Sequence, residues 1–98
     1  MIDIFGVDEA GSIRATFPDC EALHALLDAR PSQDSCCLRF IDPYGDTTFN
    51  QLQLPVLAAE LRAAAANGAP ALRARIEALA AFVESARETQ MYVKFVGD

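Results

Sequence analysis

The sequence is poor in basic residues and has no long apolar run. Its 98 residues include one lysine and seven arginines, and 14 acidic residues bring the formal net charge to −6. Proteins that bind nucleic acid or anionic membranes depend on clustered cations, and a membrane-spanning helix needs about 18 consecutive apolar residues. We therefore predict that the protein binds neither nucleic acid nor a membrane.

Cysteine is sparse, odd in number and unsuitably spaced, at Cys20, Cys36 and Cys37. Disulfide-stapled secreted domains have even counts, and adjacent cysteines rarely pair because the bridge needs a particular Cα geometry. Residues 1–5 lack the basic and long apolar regions of a secretory signal. We therefore expect reduced thiols and a cytoplasmic location.

The cysteine spacing also fits no common cofactor site. Zinc ligands usually come in pairs separated by two to four residues, and redox enzymes favour a Cys-x-x-Cys motif. Neither pattern is present, so we expect no metal and no other cofactor. A redox sensor at Cys37 remains an open alternative, which requires a thiol of low pKa.

No catalytic motif is recognisable in the chain. His24 is the one histidine, and a general base needs a nucleophile and an orienting group placed beside it by the fold. The sequence has no P-loop, dinucleotide-binding fingerprint, EF-hand loop or nucleophile elbow. We therefore predict no catalytic residue and favour a protein that is not an enzyme.

Hydrophobic periodicity predicts a single folded domain over residues 1–98. Apolar residues make up 52% of the chain, which excludes wholesale disorder, and the length suits one domain. Alternating apolar residues predict strands at about 2–7, 13–17, 36–41, 46–50 and 91–96. Spacings of three and four predict helices at about 19–30, 54–66 and 70–86.

The order ββαββααβ predicts an α+β fold. We expect a two-layer sandwich of about five mostly antiparallel strands, with three helices on one face. Because strand residues alternate between faces, Cys36 is expected in the core and Cys37 on the opposite face. The predicted core consists of Ile2, Ile4, Ile13, Leu23, Leu27, Leu38, Phe40, Phe49, Leu57, Leu61, Leu72, Ile76, Leu79, Val83, Val93 and Phe95.

The sheet face away from the helices is the most informative predicted surface. Tyr and Arg are enriched at protein interfaces, and three cations on one face of an acidic protein would make that face locally basic. A mixed polar face that contacts only water is the other interpretation. The face is expected to contain Asp3, Phe5, Arg14, Thr16, Cys37, Arg39, Thr48, Tyr92 and Lys94, and the candidate partner-binding residues are Phe5, Arg14, Arg39, Tyr92 and Lys94.

Two functions of different kinds follow from these patterns. The first is a non-enzymatic protein-interaction module: a binding or inhibitor-like domain, or a homodimer formed through the sheet. The alternative is a small enzyme or a ligand or metal binder that uses Asp42, Tyr44 and Asp46 with Arg39, because carboxylates at a strand end can hold Mg²⁺. Turn chemistry explains Asp42, Pro43 and Gly45 without any ligand. The segment 40–52 is distinctive but predicts no function.

Overall fold

The computed structural model of the chain describes residues 2–18, 21–28, 35–42 and 44–97. Among the predicted features, Cys20, Pro43 and the two ends of the first helix lie outside these residues. The strands are β1 (Asp3–Val7), β2 (Ile13–Phe17), β3 (Asp46–Phe49) and β4 (Tyr92–Val96). The helices are α1 (Glu21–Asp28), α2 (Leu54–Ala65) and α3 (Pro70–Glu88), and a short 3-10 helix spans Leu38–Phe40.

The four strands form one antiparallel sheet in the order β2-β1-β4-β3. The last strand in sequence, β4, therefore lies in the interior of the sheet between β1 and β3. Its register places Phe95 beside Ile4 and Val93 beside Phe49. The α+β class is confirmed, and the described residues contain four strands where about five were predicted.

One face of the sheet shares a single apolar core with the helices. Ile4, Phe17 and Phe95 from the strands belong to the same buried cluster as Leu61 and Ile76 from α2 and α3. Phe49 packs edge-on against Phe95 at a centroid distance of 5.8 Å. Most of the predicted core is buried there, while Leu27 and Leu72 are partly buried against it.

The predicted strand at 36–41 is wrong: Cys36 and Cys37 form a bend that leads into the 3-10 helix. The cause is a carboxylate on α2. Glu60 accepts the backbone N–H groups of Cys36, Cys37 and Leu38, so these donors are not available to a neighbouring strand. The Phe40 N–H bonds back to the Cys37 carbonyl at 2.9 Å, which closes the turn.

Without a strand, the expected alternation of the two cysteines is reversed. Cys37 is buried, with its Sγ atom 3.8 Å from the Gln53 carbonyl oxygen, and Cys36 is exposed. Phe40, expected in the core, is 58% exposed, and Ile41 is buried in its place. Both errors have the same cause, because a tight turn does not present side chains with the period of two that a strand has.

A β-bulge explains why Ile13 is not in the core. Gly6 pairs with Ala15 and Val7 with Ile13, so Arg14 is an extra residue in β2. An extra residue resets the alternation of the strand beyond it. Ile13 therefore shares a face with Val7, which lies outside the core cluster, and is 59% exposed.

Candidate interaction surface

The face of the sheet directed away from the core, here called the open face, has three rows of side chains. Residues opposite each other on antiparallel strands project from the same face, so the pairing register defines each row. The rows are Ile13, Val7 and Tyr92 at one end; Thr16, Phe5, Lys94 and Thr48 in the middle; and Asp3, Val96 and Asp46 at the other end.

The first row and Phe5 make the open face apolar at one end. Val7 is 7% exposed although it is absent from the core cluster that the helices share. Ile13 and Tyr92 flank it in register, so the neighbouring strands shield it. Ile13 is exposed, and Phe5 and Tyr92 are partly buried. The exposed apolar surface at this end therefore comes mainly from Ile13, with smaller contributions from Phe5 and Tyr92.

Charges of both signs lie on and around the open face, so the expected basic character is wrong. Lys94 Nζ lies 3.7 Å from Asp46 Oδ2, and Arg14 Nε lies 2.9 Å from Asp8 Oδ2. Asp3 adds a further negative charge at the end of β1. The Ser12 and Ala10 N–H groups and the Arg14 guanidinium lower the pKa of the Asp8 carboxyl.

The structure brings together three of the five candidate partner-binding residues. Phe5, Tyr92 and Lys94 lie on the open face, and Arg14 lies in the bulge at its rim. Arg39 lies elsewhere, on the 3-10 helix, with its guanidinium carbon 4.7 Å from the Phe40 ring centroid. The prediction placed Arg39 on the open face because it treated residues 36–41 as a strand, which they are not. Cys37, which lies in the core, was wrongly predicted on that face for the same reason.

Sequence reasoning missed four members of the open face, which are Val7, Ile13, Asp46 and Val96. A signal for Val7 was present, since it alternates in step with Asp3 and Phe5 along β1. Val96 likewise alternates in step with Tyr92 and Lys94. Ile13 carried no such signal, because the bulge depends on pairing with β1.

The Glu60 carboxylate organises the segment before β3. The three N–H···O distances are 2.5 to 3.0 Å. Burial acts to raise the pKa of Glu60, but the N–H groups of Cys36, Leu38 and Cys37 outweigh it, and the pKa lies below its ordinary value. Burial and then the Glu60 charge raise the pKa of the Cys37 thiol, opposite to what a redox sensor needs.

The alternative site around Asp42 has internal hydrogen bonds that account for its residues. Asp42 Oδ1 accepts the Tyr44 N–H at 2.8 Å, and the Asp42 carbonyl accepts the Gly45 N–H at 3.3 Å. Asp46 is next to Lys94, and Tyr44 is exposed. Within ranges 2–18, 21–28, 35–42 and 44–97, no group of three or more His, Cys, Asp or Glu residues is placed to hold a metal ion.

Hydrogen bonds within the chain, together with burial, also explain why many of the residues in the distinctive segment 40–52 are present. Thr47 Oγ1 accepts the Asp42 N–H and donates to the Phe40 carbonyl, and Phe49 is buried. Asn50 Oδ1 accepts the N–H groups of Leu52 and Gln53 at the start of α2. These residues therefore have structural roles.

Comparison of the chain with protein families, curated proteins and solved structures found no match. Among the described residues, no helix is long and apolar enough to cross a membrane.

Proposed function

We propose that this protein is a non-enzymatic interaction module that binds another polypeptide on the open face. The observation that carries the proposal is the apolar row of Ile13, Val7 and Tyr92. This row lies outside the core that the sheet shares with its helices. Covering it would remove further apolar surface from water, at about 25 cal/mol per Å².

The chemistry of the open face suits a protein partner. Phe5 and Tyr92 provide rigid aromatic surface at low entropic cost, which is typical of the centre of an interface. Lys94, Asp46 and Asp3 surround them with charges of both signs. Such a polar rim contributes specificity more than affinity.

The open face is favoured over the Asp42 loop because the loop carboxylates already have partners. The Asp42 carboxylate accepts a hydrogen bond from the Tyr44 N–H, and the Asp46 carboxylate lies close to the Lys94 ammonium group. The side chains of the apolar row, in contrast, do not belong to the core cluster that the sheet shares with its helices. A ligand or metal binder at the loop remains the second candidate, tested by the cation experiment in the Discussion.

Site-specific photo-crosslinking in the native cell tests the proposal. Thr16→p-benzoylphenylalanine and Thr48→p-benzoylphenylalanine each place a probe in the middle row, where both threonines are exposed. Ala81→p-benzoylphenylalanine, at an exposed position of α3, is the matched control. We expect a defined protein adduct from positions 16 and 48 and none from 81. Absence of adducts from the open face, or the same adducts from all three positions, would overturn the proposal.

A further inference from the structure

We propose that residues 35–41, here called the strap, open as a unit and thereby control access to the Cys37 thiol. In the closed position the Glu60 carboxylate holds the strap against α2. Opening leaves the four-stranded sheet and the helices folded. The strap contributes no side chain to the open face, so this inference does not depend on the proposed function.

The backbone of the strap is attached to the rest of the fold by one side chain. Glu60 accepts the N–H groups of Cys36, Cys37 and Leu38. The next three N–H groups bond within the strap, to the Ser35 hydroxyl and to the carbonyls of Cys37 and Leu38. The strap therefore donates none of these six hydrogen bonds to a strand, and it can separate from the fold without breaking the sheet.

The side chains of the strap keep it closed for most of the time. Cys37, Leu38 and Ile41 are buried in the core cluster, and burial of apolar side chains stabilises the closed position. The Thr47 hydroxyl, which donates to the Phe40 carbonyl at 3.3 Å, is a further link at the border with β3. Segments outside the main hydrogen-bonded elements open more often than the core does. We therefore expect opening to be rare, yet more frequent than global unfolding.

The Cys37 thiol is inert only while the strap is closed. The residue is 3% exposed, and its Sγ atom lies 3.8 Å from the Gln53 carbonyl oxygen. Burial and then the Glu60 charge raise the pKa of this thiol, and the thiolate is the reactive form. Opening removes both causes together, so it converts Cys37 from a masked thiol into an accessible one. The neighbouring Cys36 is exposed without any opening.

Alkylation with iodoacetamide measures how often the strap opens. The thiolate displaces iodide and forms a sulfur–carbon bond, which mass spectrometry detects as added mass. The first reporter chain carries Cys20→Ser and Cys36→Ser, which leave Cys37 as its one thiol. The second reporter chain carries Cys37→Ala as well, together with Val93→Cys. Val93 is fully buried on the interior strand β4, so this thiol reports global unfolding.

We expect Cys37 to react at least about tenfold faster than the thiol of Val93→Cys, because local opening is more frequent than global unfolding. Its rate should also depend less on urea, since local opening exposes less surface. Glu60→Ala should accelerate the reaction of Cys37 at least about tenfold, because three hydrogen bonds to a charged group are lost. Glu60→Gln, which keeps one acceptor oxygen, should give a smaller increase if Glu60→Ala does not fold. Glu77→Gln, in an exposed ion pair on α3, is the matched control and should leave the rate unchanged.

A core substitution away from the strap separates local opening from global unfolding. Ile76→Val removes one buried methyl group from α3, and it should accelerate alkylation of the Val93→Cys thiol about fivefold. The same substitution should leave the rate at Cys37 unchanged, because α3 stays folded when the strap opens. Circular dichroism of each variant verifies that it is folded.

Three results would overturn the inference. Cys37 could react with the rate and urea dependence of the Val93→Cys thiol, or Ile76→Val could accelerate both thiols equally; either result would mean that only global unfolding exposes it. A rate at Cys37 that neither Glu60→Ala nor Glu60→Gln increases would show that Glu60 does not hold the strap. Alkylation of Cys37 as fast as that of Cys36 would show that the strap is not closed.

Discussion

The Oε1 atom of Glu60, on α2, accepts the backbone N–H of Leu38, on the 3-10 helix, at 3.0 Å. The same carboxylate accepts the N–H groups of Cys36 and Cys37. Three consecutive backbone donors thus converge on one side chain that lies 22 or more residues further along the chain. This clamp attaches the segment before β3 to the helical layer.

Removing the Glu60 carboxylate should destabilise the protein. Glu60→Ala leaves three backbone donors without their acceptor, and hydrogen bonds to a charged group contribute about 1.5–3 kcal/mol each. Because Glu60 is partly exposed and water replaces some of the bonding, we expect a loss of about 2 kcal/mol in the free energy of unfolding. Urea denaturation measures it. Glu77→Ala, which removes an exposed ion pair with Arg62, should have a much smaller effect because water screens exposed ion pairs.

The Glu60 clamp should also make stability depend on acid pH. The folded-state pKa of Glu60 is lowered, so its contribution is fully present above the unfolded-state pKa of about 4.3 and is lost as pH falls through the folded value. The stability difference between the native chain and Glu60→Gln should therefore shrink below about pH 4. Urea denaturation from pH 7 to pH 3 measures it, and a difference that stays constant would contradict the clamp.

The bulge at Arg14 predicts opposite outcomes for two isoleucines in neighbouring strands. Ile4 is fully buried and Ile13 is 59% exposed. Ile4→Ala should cost about 3 kcal/mol because it leaves a cavity, while Ile13→Ala should cost less than about 1 kcal/mol. Thermal and urea denaturation of the two variants check this register. Similar losses for both would mean that β2 pairs without the bulge.

Arg39 and Tyr92 should contribute differently to partner binding. Tyr92 lies on the open face, while Arg39 lies on the 3-10 helix. Tyr92→Ala should reduce adduct formation from a probe at position 48 several-fold, whereas Arg39→Ala should leave it unchanged. The crosslinked fraction is measured by mass spectrometry, with thermal denaturation as the folding control. If only Arg39→Ala reduced the crosslinked fraction, the result would indicate that the partner binds at the 3-10 helix and not on the open face.

Divalent cations should not stabilise the Asp42 loop. A ligand that binds only the folded state raises the melting temperature, but the Asp42 carboxylate is bonded to the Tyr44 N–H. We expect the melting temperature to stay unchanged in about 10 mM Mg²⁺ or Ca²⁺. An increase that Asp42→Asn abolishes would support the ligand-binding alternative. Glu88→Gln, at an exposed position of α3, controls for general effects of charge.

The sequence by itself determined the elements whose hydrophobic pattern is local. Periodicity of three and four residues predicts α2 and α3, and alternation predicts β1, β2, β3 and β4, because helices and strands bury one stripe or one face. The α+β class and most of the core follow from those patterns. Phe5, Tyr92 and Lys94 were correctly assigned to one face for the same reason, since their alternation is uninterrupted.

Only the tertiary structure decided the features that depend on distant partners. Residues 36–41 alternate like a strand, yet they form a turn because Glu60, far along the chain, binds their N–H groups. Ile13 alternates like a core residue, yet pairing with β1 creates the bulge that turns it outward. The interior position of β4 depends on its pairing with both β1 and β3. In each case a long-range hydrogen bond or pairing outweighs a local preference, which is small per residue.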